Sequence, residues 1–148
     1  MKIVNRKFNR EYQEVERYEA GVVLSGAEVK SIRNGGLRLD DAYVKIVAGQ
    51  PQLINAEISP YQFAKNDSYD PRRTRRLLLH KKELVRLQTK GRGSGGLTIV
   101  PVACYNKGKI LKLEIALVRG RLDIDKRKYD KKKKLERAAQ REVKEYLK

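Results

Sequence analysis

Two apolar runs, Leu97 to Tyr105 and Ile110 to Val118, face each other across Asn106-Lys107-Gly108-Lys109. In the second run Leu111, Leu113, Ile115 and Leu117 fall on one side, while Ile110, Lys112, Glu114 and Ala116 fall on the other. A period of two is the signature of extended chain, so the spacing predicts an antiparallel hairpin with one face in a core. Lys112, on the opposite face, is left to a ligand or simply to solvent.

The stretch from Glu19 to Gly36 packs a strand, a capped helix and a glycine stop into a few turns of chain. Ser25 stands three residues ahead of Glu28, the spacing of a capping box, so a short helix is expected from near Gly26. It would turn Val29 and Ile32 inward and Lys30 and Arg33 outward, where both are candidate RNA contacts, and end at Asn34-Gly35-Gly36. Read alone, this is an ordinary strand-to-helix corner that needs no function.

Ahead of it, residues 1 to 11 are basic with isolated apolar side chains. They read as an arm that packs only through Ile3 or Phe8 and frays. Tyr12 to Leu24 reads as a long strand bent at Ala20-Gly21, as suits a small barrel. Ala42 to Ala48 and Gln52 to Ile58 form a second hairpin about Gly49-Gln50-Pro51, and Ser59 to Asp70 is a surface loop.

The run Asp70 to Leu79, DPRRTRRLLL, sets Arg72, Arg73, Arg75 and Arg76 around Thr74. Guanidinium groups so crowded repel one another unless phosphates or carboxylates are near. Arg72 and Arg75 are therefore candidate RNA contacts. The alternative is a solvated basic loop paired with Asp67 and Asp70. Leu77, Leu78 and Leu79 should be at least partly buried, and a helix is expected over Lys81 to Lys90. The run Gly91 to Gly96 looks like a phosphate cradle, but a strand follows it and no Lys-Ser or Lys-Thr pair is present. A P-loop is rejected in favour of a flexible connection.

Thirty-five Lys and Arg against eighteen Asp and Glu give a net charge of +17 on 148 residues. Such an excess is unfavourable unless a polyanion neutralises it, which points to nucleic acid. A membrane surface is the competing partner. No run approaches eighteen apolar residues and no hydrophobic region follows the N-terminus, so no membrane association and a cytoplasmic protein are expected. One cysteine, Cys104, and one histidine, His80, supply neither a disulfide nor a usual zinc site. With no paired catalytic groups in the sequence, an enzyme is rejected and no cofactor or metal is expected.

At Arg119 the composition changes: residues 119–148 hold thirteen Lys or Arg against six Asp or Glu. Leu135, Ala139, Val143 and Leu147 recur every four residues, a narrow apolar stripe, with Lys131, Lys132, Lys133 and Lys134 crowding the helix start against its dipole. Such a tail is expected to be disordered until a polyanion orders it. The domain reading is an OB-like RNA-binding barrel over 1–118 and a basic C-terminal tail over 119–148, disordered or helical. The fold class is mainly β, an OB-fold-like antiparallel barrel with short helices. Tyr12 and other strand tyrosines could stack on bases or merely pack.

Three strings in this order, EAGVVLSGAEVKSIRNG, DPRRTRRLLLHKKEL and a basic tail containing DKR, resemble the SmpB family of bacterial tmRNA-binding (SsrA-binding) proteins. The resemblance runs from about Asn5 to the C-terminus. It implies an OB barrel that binds the tRNA-like domain of transfer-messenger RNA and delivers it, with elongation factor Tu acting through the aminoacylated RNA, to stalled 70S ribosomes. It implies RNA-binding roles for Tyr12, Glu19, Leu78 and Lys112, with Glu19 accepting from a base or ribose or bracing a basic neighbour. In the tail it implies that Asp125, Lys126 and Arg127, followed by Lys131 to Lys134, enter the decoding site of 16S rRNA and the empty mRNA channel. Ile124 stands where members of the family often carry an aromatic residue or histidine, which puts stacking there in doubt. The alternative function is a general OB-fold RNA-binding or ribosome-assembly protein.

Overall fold

A computed structural model of the chain describes residues 1–64, 68–93 and 95–147. The strands are β1 (Lys2–Val4), β2 (Tyr12–Val22), β3 (Leu37–Arg38), β4 (Tyr43–Val47), β5 (Gln50–Ile54), β6 (Glu57–Ile58), β7 (Arg75–Leu78), β8 (Leu97–Lys107) and β9 (Ile110–Gly120). The helices are α1 (Phe8–Glu11), α2 (Gly26–Arg33), α3 (Lys81–Gly93) and α4 (Asp123–Tyr146). Strands β8, β4, β5, β7, β2 and β9 are neighbours in that order, and β9 returns to β8, so the antiparallel pairings close a ring. This is the mainly β, OB-like architecture expected. The ring is thinnest where β4 meets β8, through the single pair Val44 and Ile99.

The period-two run is the inner wall of the ring. Leu111, Leu113, Ile115 and Leu117 are buried with Tyr18, Ala20, Leu53, Leu77 and Ile99. The outer face of the same hairpin is partly buried too, because Ala116, Val118, Val100 and Val102 pack under Phe8. The N-terminal arm is therefore not frayed. A register shift between Pro101 and Ala103 turns two carbonyls out of the β8–β9 ladder, and buried Asn5 takes both. Its backbone N donates to Val102 O at 2.8 Å and its Nδ2 to Pro101 O at 2.9 Å.

Helix α2 forms as the capping box requires: Glu28 N donates to Ser25 Oγ at 3.2 Å and Ser25 N to Glu28 Oε1 at 3.0 Å. Gly35, at φ +84°, supplies the left-handed stop. The hairpin of β4 and β5 turns one residue earlier than expected, at Ala48-Gly49, where both residues have positive φ and Val47 pairs with Gln50. Helix α3 continues through Gly91 to Gly93, three residues past its expected end, whereas Ser94 and the loop residues Asn66 and Asp67 lie outside the described residues.

Arg75 is a correction. Its side chain is fully buried, so it is not an RNA contact in this fold. Its Nε donates to Glu28 Oε2 at 2.9 Å, and its terminal nitrogens donate to Ala56 O at 2.7 Å, Pro71 O at 3.0 Å and Tyr69 Oη at 3.1 Å. Arg73 also donates to Glu28, from Nε at 3.2 Å. Burial alone would raise the Glu28 pKa. The hydrogen bonds from Arg73, the Ser25 backbone and Arg75 outweigh it and hold that carboxyl down at about 2. Two of the four clustered arginines are thus neutralised by one carboxylate more than forty residues away in sequence.

The expected burial of all three leucines fails at Leu78, which is 54% exposed, because β7 alternates and turns Leu77 inward instead. The tail is a helix whose start is not the lysine run. It begins at Asp123 with Asp123 and Asp125 in its first turn, which suits the helix dipole. Lys131 to Lys134 lie two turns further on. No side chain of α4 is buried. No described helix is long and apolar enough to cross a membrane.

Candidate nucleic-acid interface

A strand residue's side depends on the parity of its position, so Tyr12 and Glu19, seven apart, should lie on opposite faces of β2. They do not. The register against β9 slips between Glu14 and Glu16, which leaves Val15 unpaired as a bulge. Glu14 stands opposite Val118 and Arg17 opposite Ala116, both of which face the outer apolar cluster. Tyr12, Glu14, Arg17, Glu19 and Gly21 therefore share the outer face. The bulge sits at Val15, not at Ala20-Gly21 as the sequence suggested, and this shift brings the ends of the strand to one side.

The pairings then build one row across four strands. Leu78 of β7 lies opposite Gly21 of β2, Gly21 opposite Lys112 of β9, and Lys112 opposite Tyr105 of β8. Gly21 is needed in this row: a Cβ there would meet Leu78 Cβ at 3.3 Å. With no side chain at its centre, the row presents an exposed leucine beside an ammonium group. Glu19 lies one step along, where it accepts from the Tyr105 hydroxyl and, at 2.9 Å, from Lys107 Nζ. It braces a basic neighbour, one of the two roles its type allowed.

Charges along this face are mostly paired. Arg17 bridges Glu14 and Glu114, and Lys107 is held by Glu19. Among the described residues Lys112 has no ion pair, so it is the cation on this row free to meet a phosphate. The hydrogen bond from Tyr105, with that from Lys107, holds the Glu19 pKa below its ordinary 4.5. Burial, reinforced by the bond to Glu19, pushes the Tyr105 phenol up to about 12. Tyr105→Phe is accordingly expected to raise the Glu19 midpoint towards 4.5. An NMR titration of its carboxyl carbon reads this, and an unchanged midpoint would show that the phenol is not what lowers it.

Arg33 joins the same end of the barrel, donating to Lys109 O at 2.9 Å in the β8–β9 turn. Tyr12 lies at the far end of β2, half-buried against Phe8, roughly 27 Å from Gly21 at strand rise. Two candidates sit elsewhere. Lys30 lies over the Tyr61 ring at 5.6 Å, and Arg72 donates to Asn55 Oδ1 at 2.8 Å. Sequence reasoning missed Tyr105, Lys107 and Arg17, whereas exposed Arg76 belongs to the arginine cluster it singled out. A two-residue turn at Gly108-Lys109 fixes the partner of Lys112 as Tyr105, so that much could have been read from the hairpin alone.

The tail leaves this barrel beside Tyr12. Arg121 donates from N to Glu11 O at 2.9 Å and from Nε to Tyr12 O at 3.1 Å. Lys126 pairs with Glu11 at 2.9 Å and Arg10 with Asp130 at 3.0 Å. Asp125 is half-buried in the first turn, whereas Ile124, Arg127 and Lys131, Lys132, Lys133 and Lys134 are exposed.

The SmpB protein family profile matches residues 2–145. An SsrA-binding protein of Dehalococcoides mccartyi strain BAV1 is 45% identical over 140 residues, covering 95% of this chain and 81% of the relative. Another, of a Sulfurihydrogenibium species, is 43% identical over 144 residues, covering 97% and 94%. Among solved structures, a chain from "tmRNA-SmpB: a journey to the center of the bacterial ribosome" superposes with a TM-score of 0.67 at 39% identity, covering 82% of this chain and 85% of that one.

Proposed function

The chain belongs to the SmpB protein family, and from that premise we propose that its barrel binds the tRNA-like domain of tmRNA on the face around Lys112. The protein is an RNA-binding partner in trans-translation on the ribosome, not an enzyme. The observation that carries the assignment of the face is the row Leu78, Gly21, Lys112 and Tyr105, with Glu19 beside it. An exposed apolar side chain, an unpaired ammonium and a carboxylate held ionised suit a folded RNA elbow. Lys112 meets a phosphate, Leu78 packs on a sugar or base, and Glu19 fixes Lys107. Arg33 extends the basic rim, and Tyr12 contacts RNA at the root of the tail.

The tail is the second functional part. Its solvated helix enters the decoding site and the empty mRNA channel of the stalled ribosome, with Asp125, Lys126 and Arg127 nearest the 16S rRNA and Lys131 to Lys134 following. Elongation factor Tu acts through the aminoacyl end of tmRNA rather than on this chain, and the protein works in the cytoplasm.

Binding to the isolated tRNA-like domain, with bulk tRNA as competitor and at two salt concentrations, tests this reading. Binding that resists the competitor and is lost in Lys112→Glu supports it. Binding that collapses equally with tRNA and with salt would mean that charge alone holds the RNA.

A further inference from the structure

We propose that the outer face of β4, β5 and β7 is a track for an unpaired RNA strand, adjoining the row that carries Lys112 but distinct from it. Antiparallel pairing sets Tyr43 opposite Ile54, Lys45 opposite Gln52, and Gln52 opposite Arg76. Their neighbours Val44, Leu53 and Arg75 are buried, so these pairs point outward. Lys45, Gln52 and Arg76 therefore form one row across three strands, with the two cations roughly 10 Å apart at strand spacing. Tyr43, 41% exposed, and Ile54 form the next row. At the other end Arg76 stands two residues from Leu78 on the same side of β7, so the track meets the Lys112 row without leaving the sheet.

Its charge sets this face apart from a merely solvated sheet. None of the outward positions of the three strands holds a carboxylate. On β2 and β9, by contrast, Arg17 lies between Glu14 and Glu114, and Lys107 is held by Glu19. Lys45 and Arg76 are exposed, and among the described residues neither side chain has a carboxylate partner. Two cations without an internal counter-charge favour an external anion, and the arginine fork matches the paired oxygens of a phosphodiester. The side chains beside them select the kind of polyanion. The Gln52 amide carries donors and an acceptor, a set that a base edge uses in full and a phosphate only in half. Tyr43 supplies a ring on which a base can stack, with Ile54 next to it. In a duplex the bases are already paired and stacked, so only an unpaired strand engages the ring and the amide as well as the cations. This goes beyond the assignment of the Lys112 face and does not depend on it.

The chain contains no tryptophan, so Tyr43→Trp in the full-length protein places a single fluorescent reporter on the track and keeps a stacking ring there. Titrated with a short oligouridylate, its emission is expected to be quenched and to saturate at one RNA per protein. An RNA duplex of the same charge should leave the emission largely unchanged. Adding Lys45→Gln and Arg76→Gln should weaken the oligouridylate response about tenfold and make its salt slope shallower by about 1.4, the share of two phosphates on a single strand. Lys81→Gln and Lys82→Gln remove the same charge from exposed positions of α3 and should change the response far less. The proposal is overturned if both pairs of substitutions weaken the response equally, if the reporter stays silent while the anisotropy of a labelled RNA shows binding, or if the duplex quenches it as strongly as the single strand.

Discussion

Glu28→Gln is expected to destabilise the protein by about 3–5 kcal/mol, the usual cost of stranding a buried charge. The reason lies in what surrounds Glu28. It is 1% exposed, it closes the capping box of α2, and it is the carboxylate that neutralises fully buried Arg75. The amide keeps the shape but leaves a guanidinium uncompensated in the core. Thermal unfolding should show a fall in Tm of roughly 10–20 °C. Adding Arg75→Met should restore part of the loss, because it removes the stranded charge. Recovery stays incomplete, since the Ala56 and Pro71 carbonyls lose their donor. The pH dependence has a defined direction. The folded carboxyl titrates at about 2 against an ordinary 4.5, so its contribution is complete above 4.5 and is lost as pH falls towards 2. Glu28→Gln should lack this component of the acid slope. Wild-type stability in the variant would remove the Glu28–Arg75 pair from any account of what holds α2 to the barrel.

Ending the chain after Arg121 is expected to abolish tagging on stalled ribosomes while leaving competitor-resistant binding of the tRNA-like domain intact. The cut belongs there and not at Arg119, because β9 runs to Gly120 and Arg121 anchors the strand end to Glu11 and Tyr12. Beyond it, α4 buries no side chain. The ion pairs lost, Lys126–Glu11 and Arg10–Asp130, are exposed or half-exposed, and solvent-screened pairs of this kind contribute little to stability. The truncated protein should therefore unfold near the wild-type temperature. A reconstituted translation reaction on a message without a stop codon reads the tagging step. Loss of competitor-resistant RNA binding in the truncated protein would refute the division of labour between barrel and tail.

What could be read from the sequence follows the range of the interactions. The β8–β9 hairpin and the α2 capping box rest on periodicity and a three-residue spacing, and both are present as read. Arg75 could not be assigned, because its carboxylate lies 47 residues away and only the closed ring brings the two together. Asp67 and Asp70, nearer in sequence, were the partners that spacing suggested. The bulge at Val15 was equally hidden. Valine carries no local signal for an unpaired strand position, whereas glycine at 21 does, and that glycine serves a close approach by Leu78 instead. Asn5 looked like part of a loose basic arm because the carbonyls that hold it come from an irregularity in β8. Of the candidate RNA residues, those on β2, β7 and β9 gather on one face, which no pattern within a single segment could have shown.

The undocked face of α4 bears on how the tail finds its target. A coil of 24 residues would wander with an end-to-end distance of roughly 25–30 Å and fill a volume. The same residues as a helix extend about 36 Å from the Arg121 anchor, so the tip is confined near a shell and its freedom is angular. Chain entropy is spent before the encounter instead of during it. The effective concentration of the tip at its receptor is then set by where the barrel is seated, and turning the barrel by a few degrees would retune it without altering a single contact.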